Sequence, residues 1–145
     1  MAQRIEFHFN APALVPYACR LLRKVQGRGL RAQVVGNATT LAQLDQALWT
    51  FTPLDFLSHC SAQAPVSMLA TSSILLNETP VPDWHQQVLI NLGENVPEGL
   101  KGFERIIDVV TVDELHRAQG RQRWRQYSSL GHELLRHDLL KMESA

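Results

Sequence analysis

The chain has 145 residues, 45% of them hydrophobic, and its 14 Lys plus Arg balance 14 Asp plus Glu to a formal net charge of zero. This length and apolar content predict a single domain, residues 1–145, and exclude a disordered or low-complexity chain. No apolar run approaches the ~20 residues of a membrane span, and Met1-Ala2-Gln3-Arg4-Ile5-Glu6 is charged where a secretory leader is apolar. A cytoplasmic location with Cys19 and Cys60 reduced is the expectation.

Ile5, Phe7 and Phe9 alternate with Glu6 and His8, the pattern of a short strand with one face inward. Asn10-Ala11-Pro12 breaks it, and Leu14, Ala18, Leu21, Leu22 and Val25 then mark the apolar stripe of a helix over 13–26. Gly27-Arg28-Gly29 ends that helix. Residues 30–35 form a second strand, and Gly36-Asn37-Ala38-Thr39 supplies turn and cap chemistry before a helix carrying Leu41, Leu44 and Leu48. Such alternation predicts parallel strands joined by right-handed crossovers. Residues 52–72, with Pro53 and Pro65, read as loop containing one short extended piece. The apolar runs 73–76, 88–92 and 105–110 read as buried strands. Thr111-Val112-Asp113-Glu114 has the form of a capping box, placing a last helix from Thr111 to Gln126 that resumes, after a break near Gly131, toward Lys141.

Charge is segregated along the chain. Residues 7–44 hold no acid, 45–114 hold ten acids against Lys101 and Arg105, and 115–127 hold Arg117, Arg121, Arg123 and Arg125 without an acid. Eleven of the fourteen cations are Arg, whose planar fork matches carboxylates and phosphates, so anionic partners are indicated. No phosphate-cradling glycine motif follows the first strand, where Asn10-Ala11-Pro12-Ala13 stands. Among the six histidines, His132 and His137 come nearest to a ligand pair, yet five residues of helix would turn them ~140° apart. Neither a metal site, nor a cofactor, nor a catalytic set is expected.

Two stretches stand out. Asp45-Gln46-Ala47-Leu48-Trp49, followed by Pro53, Phe56 and Leu57, reads from composition as core, and alternatively as an exposed aromatic patch for a protein partner. Arg117, Arg121, Trp124, Arg125 and Ser128 fall on one helix face. Repulsion between like charges at that spacing disfavours the helix by about 0.2–0.5 kcal/mol per pair, and a solvated face rarely needs an indole. Arg123 is rotated away from this stripe and is expected to contribute little to it.

The segments Leu44-Asp45-Gln46-Ala47-Leu48-Trp49, with Phe56 and His59 beyond, and Arg121-Gln122-Arg123-Trp124-Arg125-Gln126-Tyr127 resemble the chi subunit of bacterial DNA polymerase III. The resemblance implies a three-layer α/β domain, with a mostly parallel sheet of about five strands and helices on both faces, Rossmann-like without a phosphate loop. It also implies a non-catalytic adaptor of the clamp-loader complex, with no cofactor. One surface, by motif position Trp49, Pro53, Phe56 and Leu57, would bind the psi subunit. Another, with Val110, Arg117, Arg121, Trp124 and Arg125, would bind the acidic C-terminal tail of single-stranded-DNA-binding protein. The competing reading is direct binding of single-stranded nucleic acid by the Arg-rich last helix. Zero net charge and the acidic middle of the chain argue against it, because phosphate neutralisation dominates such binding.

Overall fold

The computed structural model describes residues 3–50 and 58–140. In chain order the elements are β1 (Arg4–Ala11), α1 (Leu14–Gly27), β2 (Ala32–Val35), α2 (Ala38–Thr50), β3 (His59–Ser61), α3 (Val66–Thr71), β4 (Ile74–Asn77), β5 (Val88–Asn91), β6 (Arg105–Thr111), α4 (Glu114–Ser129) and β7 (Glu133–Asp138). The strands form one sheet in the order β3-β4-β2-β5-β6-β1-β7, and every pairing is parallel.

That order explains the layers. From β1 the chain steps one way across the sheet to β2 and β3, then reverses through β4, β5 and β6 to β7. Right-handed crossovers put helices made on the outward and return journeys on opposite faces. Accordingly, Ala18, Leu22, Leu44 and Leu48 of α1 and α2 pack on Val34, Ile90, Ile107 and Val109. Tyr127 and Trp124 of α4, with Leu100 and Phe103, pack on Ile5, Phe7, Leu89 and Ile106. Residues 106 to 110 show the pleat directly, since Ile107 and Val109 face one core and Ile106 and Val110 the other.

Side-chain caps set the starts of α2 and α4. Asn37 accepts the Thr40 amide through its side chain at 2.8 Å and caps α2. At the start of α4 the cap is Asp113, whose carboxylate accepts the His116 amide at 3.1 Å, whereas Thr111 still belongs to β6. The cap expected at Thr111 is therefore two residues early: the Thr111 amide is taken by His116 Nδ1 at 2.9 Å, so this residue joins the strand to the helix without capping it.

Among the described residues the sheet has seven strands instead of about five. β3 is the short extended piece foreseen in residues 52–72, and α3 was not foreseen; its Leu69 carbonyl accepts the Trp84 indole N–H at 2.8 Å. The larger correction is β7, where a resumed helix was expected. Gly131 has φ +87, the His132 amide bonds back to Tyr127 O and the Gly131 amide to Ser128 O, which is a Schellman ending. The chain then turns onto β1, as the Gln3 amide donates to His132 Nδ1 and the Glu133 amide to Gln3 O. Being an edge strand, β7 has no clear in-out alternation in its burial, and Leu134, Leu135 and Leu139 imitate a helical stripe. The two cysteines are free and buried.

Candidate functional site

A groove of about 380 Å³ opens between α4 and the β1 end of the sheet. Phe7 and Phe9 of β1, Asn10, Val110 of β6, Arg117, Gly120, Arg121 and Trp124 of α4, and Arg136 of β7 line it. Of the residues singled out from the sequence, Val110, Arg117, Arg121 and Trp124 are thus brought together. Arg125 is exposed but is not among the lining residues. Phe7, Phe9, Asn10, Gly120 and Arg136 were not anticipated. The Phe7 and Phe9 alternation had shown that both face one side, but not that α4 lies across them.

The floor is apolar because α4 lies close to the strands. A methyl group on Gly120 would sit 2.8 Å from Val110 Cγ2 and 2.9 Å from Cγ1, so only glycine allows this approach. The Trp124 ring meets the Phe7 ring edge-on, with centroids 4.9 Å apart, and Phe7 in turn meets Tyr127 at 5.6 Å. Arg136 places its guanidinium 5.3 Å from the Phe9 ring centroid, covering it while leaving its charge at the rim. Asn10 adopts φ +65, a left-handed conformation that Asn tolerates, and donates to Asp138 Oδ1 at 2.9 Å, which holds the irregular end of β1 against β7.

Three cations border this apolar slot. Arg117 has Glu114 at 3.7 Å on its own helix, both side chains well exposed, a pair of little strength. Among the described residues neither Arg121 nor Arg136 has an acidic partner. The arrangement suits a ligand with an apolar end and carboxylates beside it.

Between α4 and the sheet lies a buried polar network. Asp108, fully buried, accepts from Arg123 Nη2 at 2.8 Å and Nε at 3.0 Å, from Tyr127 Oη at 3.0 Å and from Asn91 Nδ2 at 3.1 Å. Arg123 Nη1 also donates to Glu94 O. Burial and the adjacent Asp108 charge push the Tyr127 phenol well above its ordinary range, so it remains a donor. Arg123 is therefore a tether between α4 and the sheet.

Trp49 lies at the end of α2, 59% exposed, its ring 5.0 Å from that of His59, which is held by Asp45 at 2.8 Å. The core reading is overturned for Trp49. Pro53, Phe56 and Leu57 fall outside the described residues. The strand order puts His59 in β3 at the sheet edge opposite β7, so this surface and the groove are at far ends of the molecule.

Residues 1–135 match the family described as DNA polymerase III chi subunit, HolC. The chain belongs to this family. It is also 26% identical over 141 residues, 94% of this chain and 96% of the other, to "DNA polymerase III subunit chi" of Pseudomonas aeruginosa. Membership makes the chain an accessory subunit of a DNA polymerase that serves DNA replication. No described helix is long and apolar enough to cross a membrane.

Proposed function

We propose that this chi-family chain is a non-catalytic adaptor. Its α4 groove takes the acidic C-terminal tail of single-stranded-DNA-binding protein, and the surface around Trp49 takes the psi subunit, linking both to the clamp loader in the cytoplasm. The observation that carries the first contact is the apolar slot of Phe7, Val110 and Trp124 bordered by Arg117, Arg121 and Arg136. The terminal apolar side chain enters the slot, and Arg121 and Arg136 hold the terminal and side-chain carboxylates with their forks. Arg125, exposed one residue beyond Trp124, meets an acidic side chain outside the groove.

Exposed ion pairs contribute ~0.2–1 kcal/mol each, whereas losing a buried anchor contact costs ~2 kcal/mol or more. The slot therefore dominates the affinity and salt weakens the remainder. Direct binding of single-stranded nucleic acid fits less well. That function needs a charged track with several open stacking platforms, whereas here Phe7 is buried edge-on against Trp124, Arg136 covers Phe9, and the chain has zero net charge.

Isothermal titration with a tail peptide tests the reading. Trp124→Ala should weaken binding at least tenfold and Arg121→Ala by no more than about fivefold, with higher salt weakening wild type but leaving a residual affinity. Tight binding of bare single-stranded DNA, with none of the peptide, would overturn it.

A further inference from the structure

On the sheet face opposite the groove, β1 and β7 bring three potential metal ligands together. His8 is registered against His137, and Glu6, two residues before His8, points to the same face. Glu6 Oε1 lies 3.7 Å from His8 Nε2 and 3.4 Å from His137 Nε2, and all three donor atoms fall within 4.8 Å of one another. Such distances are long for hydrogen bonds. They match the ~3.4 Å between neighbouring donors around a tetrahedral ion with bonds of ~2.0–2.1 Å.

The second observation is at His8. Its side chain is 8% exposed, and its Nε2 has no hydrogen-bond partner among the described residues. Nδ1 lies 2.5 Å from the Tyr17 hydroxyl. With Nδ1–H donating to Tyr17 Oη, the Nε2 lone pair points at Glu6 and His137, the tautomer and outer contact of a metal-bound imidazole. A bare buried acceptor is costly, and a bound cation removes that cost.

We propose that Glu6, His8 and His137 form a three-ligand site for a divalent ion of the zinc class. Two imidazoles and one carboxylate suit Zn²⁺ and its transition-metal neighbours, not Mg²⁺ or Ca²⁺, which take mainly oxygen ligands. The His137 side chain is 35% exposed, so the fourth position opens to water on that side. Arg105 donates to both Glu6 oxygens, at 2.6 and 2.9 Å, and fixes the carboxylate plane while leaving Oε1 a second lone pair. Its charge opposes the cation and keeps the affinity moderate. Because Arg136 precedes His137 on β7, the ion braces from behind the strand that walls the groove.

The test uses tag-free, EDTA-stripped, full-length protein titrated with CoCl₂ and then ZnCl₂. One equivalent of Co²⁺ should give the visible bands of a four-coordinate site, bleached by Zn²⁺, and zinc at 100 times its Kd should raise Tm by roughly 8 °C. His137→Gln, at a partly exposed edge position, should keep the metal-free Tm and bind Co²⁺ about 100-fold more weakly. Tyr17→Phe should weaken binding ~10- to 100-fold, and His85→Ala should leave it unchanged. No four-coordinate spectrum in wild type, wild-type affinity in His137→Gln, or an equal Tm rise with Mg²⁺ would each overturn the site.

Discussion

Arg123 Nη2 and Asp108 Oδ1 lie 2.8 Å apart with both side chains essentially removed from solvent, so one arginine of a basic segment serves as an internal tie between α4 and β6. Removing it strands a buried carboxylate. Arg123→Ala should cost about 3–5 kcal/mol, whereas the exposed Arg121→Ala should stay within ~0.5 kcal/mol. Urea denaturation of both variants checks this, and equal midpoints would show that the tie carries no stability. Arg123→Ala is consequently unsuitable as a neutral control for binding, contrary to the expectation from helical rotation alone.

Gly120 makes a separate demand on the same interface. Gly120→Ala gains up to ~1 kcal/mol of helix propensity but forces a methyl group into Val110 Cγ2. Overpacking of this kind costs ~1–3 kcal/mol, so the net effect should be destabilising, with the tail peptide bound more weakly as the groove floor shifts. Adding Val110→Ala should recover part of the stability. A Gly120→Ala protein more stable than wild type in a thermal melt would show that α4 is free to move away.

Stability should also respond to pH through His116. Burial, reinforced by the Arg123 charge and only partly offset by Asp108, Asp113 and Glu94, holds its pKa below the ordinary value of 6.5. The unfolded chain therefore binds the proton more readily, and the His116 contribution is complete above pH 6.5 and lost as pH falls toward the depressed folded value. Protonation also removes the acceptor for the Thr111 amide and puts a cation at a helix N-terminus. Denaturation midpoints between pH 7.5 and 5 should fall less steeply for His116→Gln than for wild type; identical slopes would reject this assignment.

For the other surface, Trp49→Ala should abolish co-purification with psi while changing stability by no more than ~1 kcal/mol, because the side chain is 59% exposed. A melt showing a core-sized loss of ~3–5 kcal/mol would restore the packed reading.

Elements with a strong local period were legible. The stripe of α1, the alternation in β1 and the apolar runs of β5 and β6 all predict what forms, because each buries a regular face. β7 was not legible: an edge strand buries too little to impose alternation, and its partner β1 lies at the other end of the sequence. That single miss hid Arg136 from the groove. It also left His137 to be judged by helical spacing to His132, when its neighbours are His8 and Glu6. Trp124 and Arg121 could be grouped beforehand because one helix carries both. Arg123 could not be placed, since only the fold brings Asp108 beneath it.

The pairing of β1 with β7 also orders events during synthesis. Gln3 and His132, 129 residues apart in sequence, are hydrogen-bonded partners, so β1 keeps one open flank until the last strand leaves the ribosome. Closing so long a loop is slow relative to helix formation. The groove, with Phe9 on one of these strands and Arg136 on the other, is then among the last features to be completed. A nascent chain stopped short of residue 133 would present an unprotected edge prone to intermolecular pairing and an unfinished groove.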